Sequence, residues 1–355
     1  MTSHADRLGV LKGHTRSVLC CQVAAARNLL VTGGEDGLLC VHDLRSQALT
    51  ARIQVSQEEA VPSILFSSVG PDCLHASAGC DLLELDLRKG DTESCVASHT
   101  CTTAEINQLA ACPEGNLIAA ADDDGYVTII DPTSQEYNCQ KLPGRHESIC
   151  SSVLFQHHKP NQVISGGLDC KLMQWDVSEK RILSSRQAGA EQAAEPNVMN
   201  PPVIHGLATP PTADCPAAQL VAAACGDGTV TIWDLDKDLS SSNKRTRARQ
   251  RRPEHVLGDH THGHRAAATC LAFTDASARQ IVSGGNDRQL HLWQLSSSAA
   301  SCGNDHCPAA SWHHSRKINA LALSEGQMYV ADTSKIVSIY GIECAQNPST
   351  GDIVP

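Results

Sequence analysis

Serine, histidine and aspartate recur in this 355-residue chain at spacings that invite a hydrolase reading. His146, Ser165, Asp169 and Trp175 stand 19, 4 and 6 residues apart, and His264, Ser283, Asp287 and Trp293 repeat those intervals. A catalytic serine must present its Oγ to a substrate beside an oxyanion hole. A constellation that recurs along the chain has a simpler use. The indole N–H donates to the serine hydroxyl, the hydroxyl to one imidazole nitrogen, and the other imidazole N–H to the aspartate. Every buried polar group is then satisfied, which is the condition under which such a network stabilises a fold. Both sets are therefore expected to be structural tetrads, and no catalytic residue is assigned. His14, Thr32 and Asp36 form a partial set, with His42 in the tryptophan's place.

Other residues carry chemistry of recognition. Asp43-Leu44-Arg45 and Asp86-Leu87-Arg88 are two Asp-x-Arg boxes, and arginine's planar fork suits fixed-geometry bonding to acceptors on a partner. Lys244, Arg245, Arg247, Arg249, Arg251 and Arg252 place six cations in nine residues, the density of a nuclear-import signal. No aromatics are interleaved there for base stacking, so nucleic acid is not the expected partner. Cys302, His306, Cys307, His313 and His314 imitate a metal cluster, but their spacing fits no common zinc module. His157-His158 and the tract His255, His260, His262 and His264 are read the same way, so neither metal nor cofactor is expected. In Asp122-Asp123-Asp124 the last is a turn residue, while the first two are expected to add surface acidity. Walker, zincin and nucleophile-elbow motifs do not occur.

The elements that position these residues are repeats. Segments 31–45, 119–132, 164–177, 222–235 and 282–295 superpose: small residues, an Asp in a tight turn, then alternating apolar residues. Six positions after Asp36, Asp124, Asp169, Asp227 and Asp287 come His42, Ile130, Trp175, Trp233 and Trp293. Weaker copies place Gly79 and Leu85, then Ser334 and Tyr340, at the same two positions, giving seven units. Intervals near 45 residues match a four-stranded propeller blade. The longer ones contain polar inserts at 184–202, 236–255 and 296–311, read as loops.

In repeats four to six the tryptophan, turn aspartate and following Asp or Gln make the chain similar to the WD-repeat family. The resemblance covers nearly the whole chain and implies an all-β, seven-bladed β-propeller of four-stranded antiparallel blades. Its expected extent is residues 1–343 as a single domain, followed by a disordered tail at 344–355. RLGVLKG (7–13) is a spare strand, expected to pair with the last blade and remove the open edges of the array. The resemblance also implies that Asp43, Arg45, Asp86 and Arg88 bind the damage-specific DNA-binding-protein adaptor of a cullin-type ubiquitin ligase. The chain would then be a non-catalytic substrate receptor with an unidentified client protein. The alternatives are a nuclear reader of basic, histone-tail-like peptides and a ribonucleoprotein-associated scaffold.

Composition sets the outer bounds. A net charge of −11 argues against a general nucleic-acid coat, and aromatics are only 3%, so Val, Ile, Leu, Ala and Cys must build the core. The N-terminus shows no signal-peptide pattern, and no apolar run approaches a membrane span. The seventeen cysteines are accordingly read as reduced thiols, several of them core residues, in a monomeric nuclear and cytoplasmic protein.

Overall fold

The computed structural model describes residues 7–67, 72–89, 94–134, 137–189, 200–212, 215, 217–236, 253–258, 262–274, 277–295 and 307–342. They form seven four-stranded antiparallel sheets arranged as the blades of a β-propeller. The first blade runs β2 (Val18–Ala24), β3 (Leu29–Gly34), β4 (Leu38–Asp43) and β5 (Ala48–Gln54), from the axis outward. Five further blades repeat this order, beginning at Ile64, Ile106, Cys150, Ile204 and Ala268. The seventh has strands Ile318–Ser324, Gln327–Asp332 and Ile336–Gly341. Its fourth strand is β1 (Arg7–Lys12), which pairs antiparallel with Ile336–Gly341 from Arg7↔Tyr340 to Lys12↔Ile336. The chain's start thus closes the ring that its end leaves open, and no blade is left with three strands.

Each blade buries both faces against its neighbours, because the sheets stand side by side around an axis. Seven apolar clusters result, one for each junction. Trp175 packs with Phe155 and Ala121 between blades three and four, Trp233 with Ile164 and Leu172 between four and five, and Trp293 with Ile232 and Ala224 between five and six. Leu11, Ile339 and Leu30 fill the junction that the closing strand completes. With so few aromatics, close approach relies on small residues such as Ala119–Ala121 and Ala222–Ala224, all fully buried. Among the described residues no helix is long and apolar enough to cross a membrane.

The outer strands depart from the expected loop boundaries. Strand Arg181–Gln187 extends into the stretch read as the insert 184–202. Strands His255–Leu257 and Ala310–His313 lie at the ends of the other two. These strands sit on the circumference and bury few side chains, so their sequences lack the apolar alternation that marks an inner strand. Residues 190–199, 237–252, 296–306 and 343–355 lie outside the described residues, and with them the interiors of the inserts and the C-terminal tail.

Antiparallel topology fixes two rims. The turn between a blade's second and third strands shares one rim with the link entering the first strand. The turn between third and fourth strands lies on the other. Tetrad histidines and turn aspartates therefore share one rim, and the Asp-x-Arg boxes occupy the opposite one.

Candidate functional site

On the first rim, His146 Nδ1 lies 2.9 Å from Asp169 Oδ1 and its Nε2 lies 2.8 Å from Ser165 Oγ. Trp175 Nε1 donates to the same Oγ at 2.8 Å. Blade six repeats this: His264 to Asp287 at 3.0 Å and to Ser283 at 2.8 Å, with Trp293 donating to Ser283 at 2.8 Å. Both serine hydroxyls are buried and occupied by imidazole and indole, so neither is presented for attack. Glycine makes room for the ring. A Cβ at Gly167 or Gly285 would come within 2.6 Å of the histidine Nδ1. Burial alone would push the aspartates' carboxyl pKa values up. In blade one, bonds from the Thr15 backbone, His14 and the Thr15 hydroxyl outweigh burial and hold Asp36 at about 2. The same opposition, led on the lowering side by the histidine, keeps Asp169, Asp287 and Asp332 below the usual carboxylate value.

Blade one has the His14–Asp36 bond at 3.0 Å and the His14–Thr32 bond at 2.9 Å, while His42 turns away to the Lys12 carbonyl at 3.3 Å. Blade seven holds a fourth network that the spacing of the other tetrads did not reveal. His314 Nε2 meets Asp332 Oδ2 at 2.6 Å, and Nδ1 meets the Tyr340 hydroxyl at 2.7 Å. The imidazole is reversed relative to blades one, four and six. Asp332 occupies the place of the tetrad glycine, two residues before Ser334, and Tyr340 alone supplies both ring and hydroxyl. The legible signal was the histidine itself. His14, His146, His264 and His314 each lie four residues ahead of an innermost strand.

Blade three also carries Asp at the glycine position. Asp122 is buried, not a surface acid: its Oδ1 accepts from the Tyr126 amide at 2.8 Å, Oδ2 has no partner, and burial raises its pKa. The packed junction leaves that position no route to solvent. In blade five Ala223 stands where the tetrad serine would be, and Trp233 Nε1 is buried without an acceptor. Around the axis, Asn107, Ser151, Thr269 and Asn319 donate across blade junctions to the carbonyls of Cys150, Ile204, Ile318 and Val18. The innermost strands enclose an axial cavity of about 320 Å³.

On the opposite rim the two boxes occupy equivalent turns of blades one and two. Asp43 faces inward to its own turn, accepting from the backbone amides of Arg45 and Ser46 at 2.8 Å. Asp86 likewise accepts from the Arg88 amide at 3.0 Å. The aspartates are thus turn-builders, and the arginines are the groups presented outward. Arg88 is 67% exposed in its side chain. Its Nε and Nη2 donate to Asp86 at 2.9 and 2.6 Å, a bidentate pairing that holds Asp86 at about 2 and raises Arg88 further. Asp72, from blade two, lies 4.0 Å from Arg88 Nε and bonds Arg27 of blade one. Exposed Arg45 faces the Asn28 side-chain amide, which, turned so that its oxygen meets the guanidinium, accepts from Nη2 and Nε at 3.0 and 3.2 Å. Both guanidiniums are positioned before any partner arrives.

The basic run Lys244, Arg245, Arg247, Arg249, Arg251 and Arg252 lies outside the described residues, as do Cys302 and His306. Cys307 is exposed, whereas His314 belongs to the blade-seven network. All fifteen described cysteines are unpaired. Burial pushes Cys20, Cys40, Cys225 and Cys270 up to about 12, far from the thiolate a nucleophile requires.

Comparison with known proteins places these features in context. The family model described as "WD domain, G-beta repeat" matches residues 5–43, 93–131 and 253–294. WD repeat-containing protein 53 homolog of Dictyostelium discoideum is 23% identical over 371 residues, covering 94% of each chain. Two Arabidopsis thaliana proteins match partially. Protein SPA1-RELATED 3 is 22% identical over 76% of this chain, and E3 ubiquitin-protein ligase COP1 is 24% identical over 64%. The chain spans only 32% and 27% of those two relatives. The WD-repeat model thus matches in blades one, three and six, and the same four-stranded build recurs in all seven: the chain is a seven-bladed β-propeller similar to the WD-repeat family.

Proposed function

We propose that this propeller is a substrate receptor that docks, through the rim bearing Arg45 and Arg88, on the adaptor of a cullin-type ubiquitin ligase. A protein-interaction role is the coarser statement, supported by the WD repeats and by relatives that include a named ubiquitin ligase. The observation that carries the finer one is the pair of guanidiniums on adjacent blades of one rim, each exposed and each held through its Nε and Nη2. A partner carboxylate or carbonyl meets a fork whose rotamer entropy is already reduced. The tetrad rim and the inserts are left for a client, whose effective concentration at the ligase is raised by tethering. Co-purification with the adaptor from cells tests this reading. Wild type is expected to retain the adaptor and folded Arg45→Ala/Arg88→Ala to lose it; a wild type that captures no adaptor would end the ligase assignment.

A second reading has its own support. Glu35, Glu59, Glu105, Asp123 and Glu147 lie in links and turns of the tetrad rim in blades one to four. That charge suits a basic, histone-tail-like peptide, whose capture should fade steeply as salt rises. Association with RNA or a ribonucleoprotein through the basic run at 244–252 is the third reading; deleting that run would abolish such binding and leave adaptor binding intact.

A further inference from the structure

His291 has no part in the tetrad beside it. It lies on the third strand of blade six (Gln289–Gln294) and is 6% exposed. Its Nδ1 is paired with the Ser311 hydroxyl at 2.7 Å, while its Nε2 is buried and makes no well-formed hydrogen bond, the Gly263 backbone being a polar neighbour of the ring. A buried polar nitrogen left unpaired is costly, so its persistence calls for a reason. The ring stands 4.4 Å from the His264 ring, and ligand atoms of His264, Asp287 and His291 all lie within 4.8 Å of one another. A cavity of about 540 Å³ is lined by Asp287 and His291, and also by His262 and His313.

We propose that blade six binds a divalent transition-metal ion of the zinc class between His264, Asp287 and His291, with its remaining position open to the cavity. Two imidazoles and a carboxylate with one open position form a donor set that zinc accepts. Metal–ligand bonds of about 2.0–2.2 Å place tetrahedral ligand atoms roughly 3.4 Å apart. His264 Nδ1 and Asp287 Oδ1, at 3.0 Å, are already near that separation. His291 has to close by about an ångström, within reach of a side-chain rotation. No proton need be lost. The His264 proton moves from Nδ1 to Nε2, and Ser283 Oγ, with two lone pairs, then accepts from both His264 and Trp293. The ion replaces that proton between His264 and Asp287 while giving the orphaned His291 nitrogen a partner. Arg265 and Arg288 also line the cavity and oppose a cation, which lowers the affinity without removing the donors.

Zn²⁺ titration of the purified full chain by calorimetry, beside thermal melts with and without the ion, tests the proposal. Wild type is expected to take up one more equivalent per chain than His291→Gln, and to gain more melting temperature from Zn²⁺. The variant leaves the His264–Asp287–Ser283–Trp293 bonds in place but gives up the Ser311 bond, so the readout is the shift that Zn²⁺ produces within each protein. Zinc held by surface histidines or thiols appears equally in both proteins and cancels in the difference. Equal stoichiometry and equal thermal shifts would overturn the assignment, as would a wild type that binds no Zn²⁺. Should His291→Gln not fold, His291→Leu, which buries no polar atom, takes its place with the same expected outcomes.

Discussion

Replacing Ser283 by alanine removes one oxygen on which two buried groups depend. Trp293 Nε1 and His264 Nε2 each reach Ser283 Oγ at 2.8 Å, and Trp293 is 1% exposed. A net hydrogen bond contributes about 0.5–1.5 kcal/mol, and leaving a buried donor unpaired costs about 1–3 kcal/mol. The void is smaller than a water molecule, so solvent cannot replace the hydroxyl. Ser283→Ala should therefore destabilise the fold by about 1–3 kcal/mol. A urea titration followed by tryptophan fluorescence should show a lower midpoint with an unchanged slope. Ser165→Ala should behave alike in blade four. Ser283→Ala/Trp293→Phe should cost less than the two single changes together, because the second removes the donor that the first orphans. A Ser283→Ala protein with the wild-type midpoint would refute the reasoning, since the hydroxyl would then contribute nothing to holding the blade.

Blade five offers the converse experiment: Ala223→Ser gives Trp233 an acceptor and should raise the urea midpoint by the equivalent of about 0.5–1.5 kcal/mol, and a drop would show that the site cannot admit the oxygen. Acid should destabilise the protein in two stages. Burial holds His42, His75, His157 and His205 below their ordinary 6.5, so below that pH the unfolded chain takes up protons that the folded chain refuses. Asp36, held at about 2, contributes stability that is complete above the unfolded carboxylate value of about 3.9 and is lost as pH falls toward 2. Urea midpoints that rise between pH 7 and 5 would contradict this. Deleting residues 1–12 removes the strand paired with Ile336–Gly341 and exposes the junction around Leu11, so the truncated chain should lose its cooperative melt. Replacing the six cations of 244–252 by alanine should lower the nuclear fraction of a fluorescent fusion; an unchanged distribution would remove the import role.

What was legible in the chain was whatever repeats in register. The turn aspartates and the residues six positions later located the blades, and the unpaired apolar strand at residues 7–13 pointed to closure. The blade-seven network was hidden because its acid had moved from the turn to the glycine position and its hydroxyl had moved onto an aromatic ring. Spacing therefore directed attention to Ser334, whose amide instead donates to Asp332 at 2.6 Å. The link from Arg27 through Asp72 to Arg88 was hidden for a different reason. It joins loops of two blades that meet only when the ring is formed. His291 drew no notice because an imidazole in an alternating strand resembles any other half-apolar residue until its neighbours are in place.

The proposed function rests on a division of labour in which one rim's polar networks hold the blades and the other rim's arginines are left free to hold a partner. The most direct measurement is the affinity of the purified ligase adaptor for wild type, Arg45→Ala/Arg88→Ala and Ser283→Ala at a temperature where all three are folded. The account predicts that the arginine variant keeps the wild-type urea midpoint and loses binding, while the serine variant loses stability and keeps binding. An arginine variant that binds as wild type does, or a serine variant that is folded yet fails to bind, would contradict it.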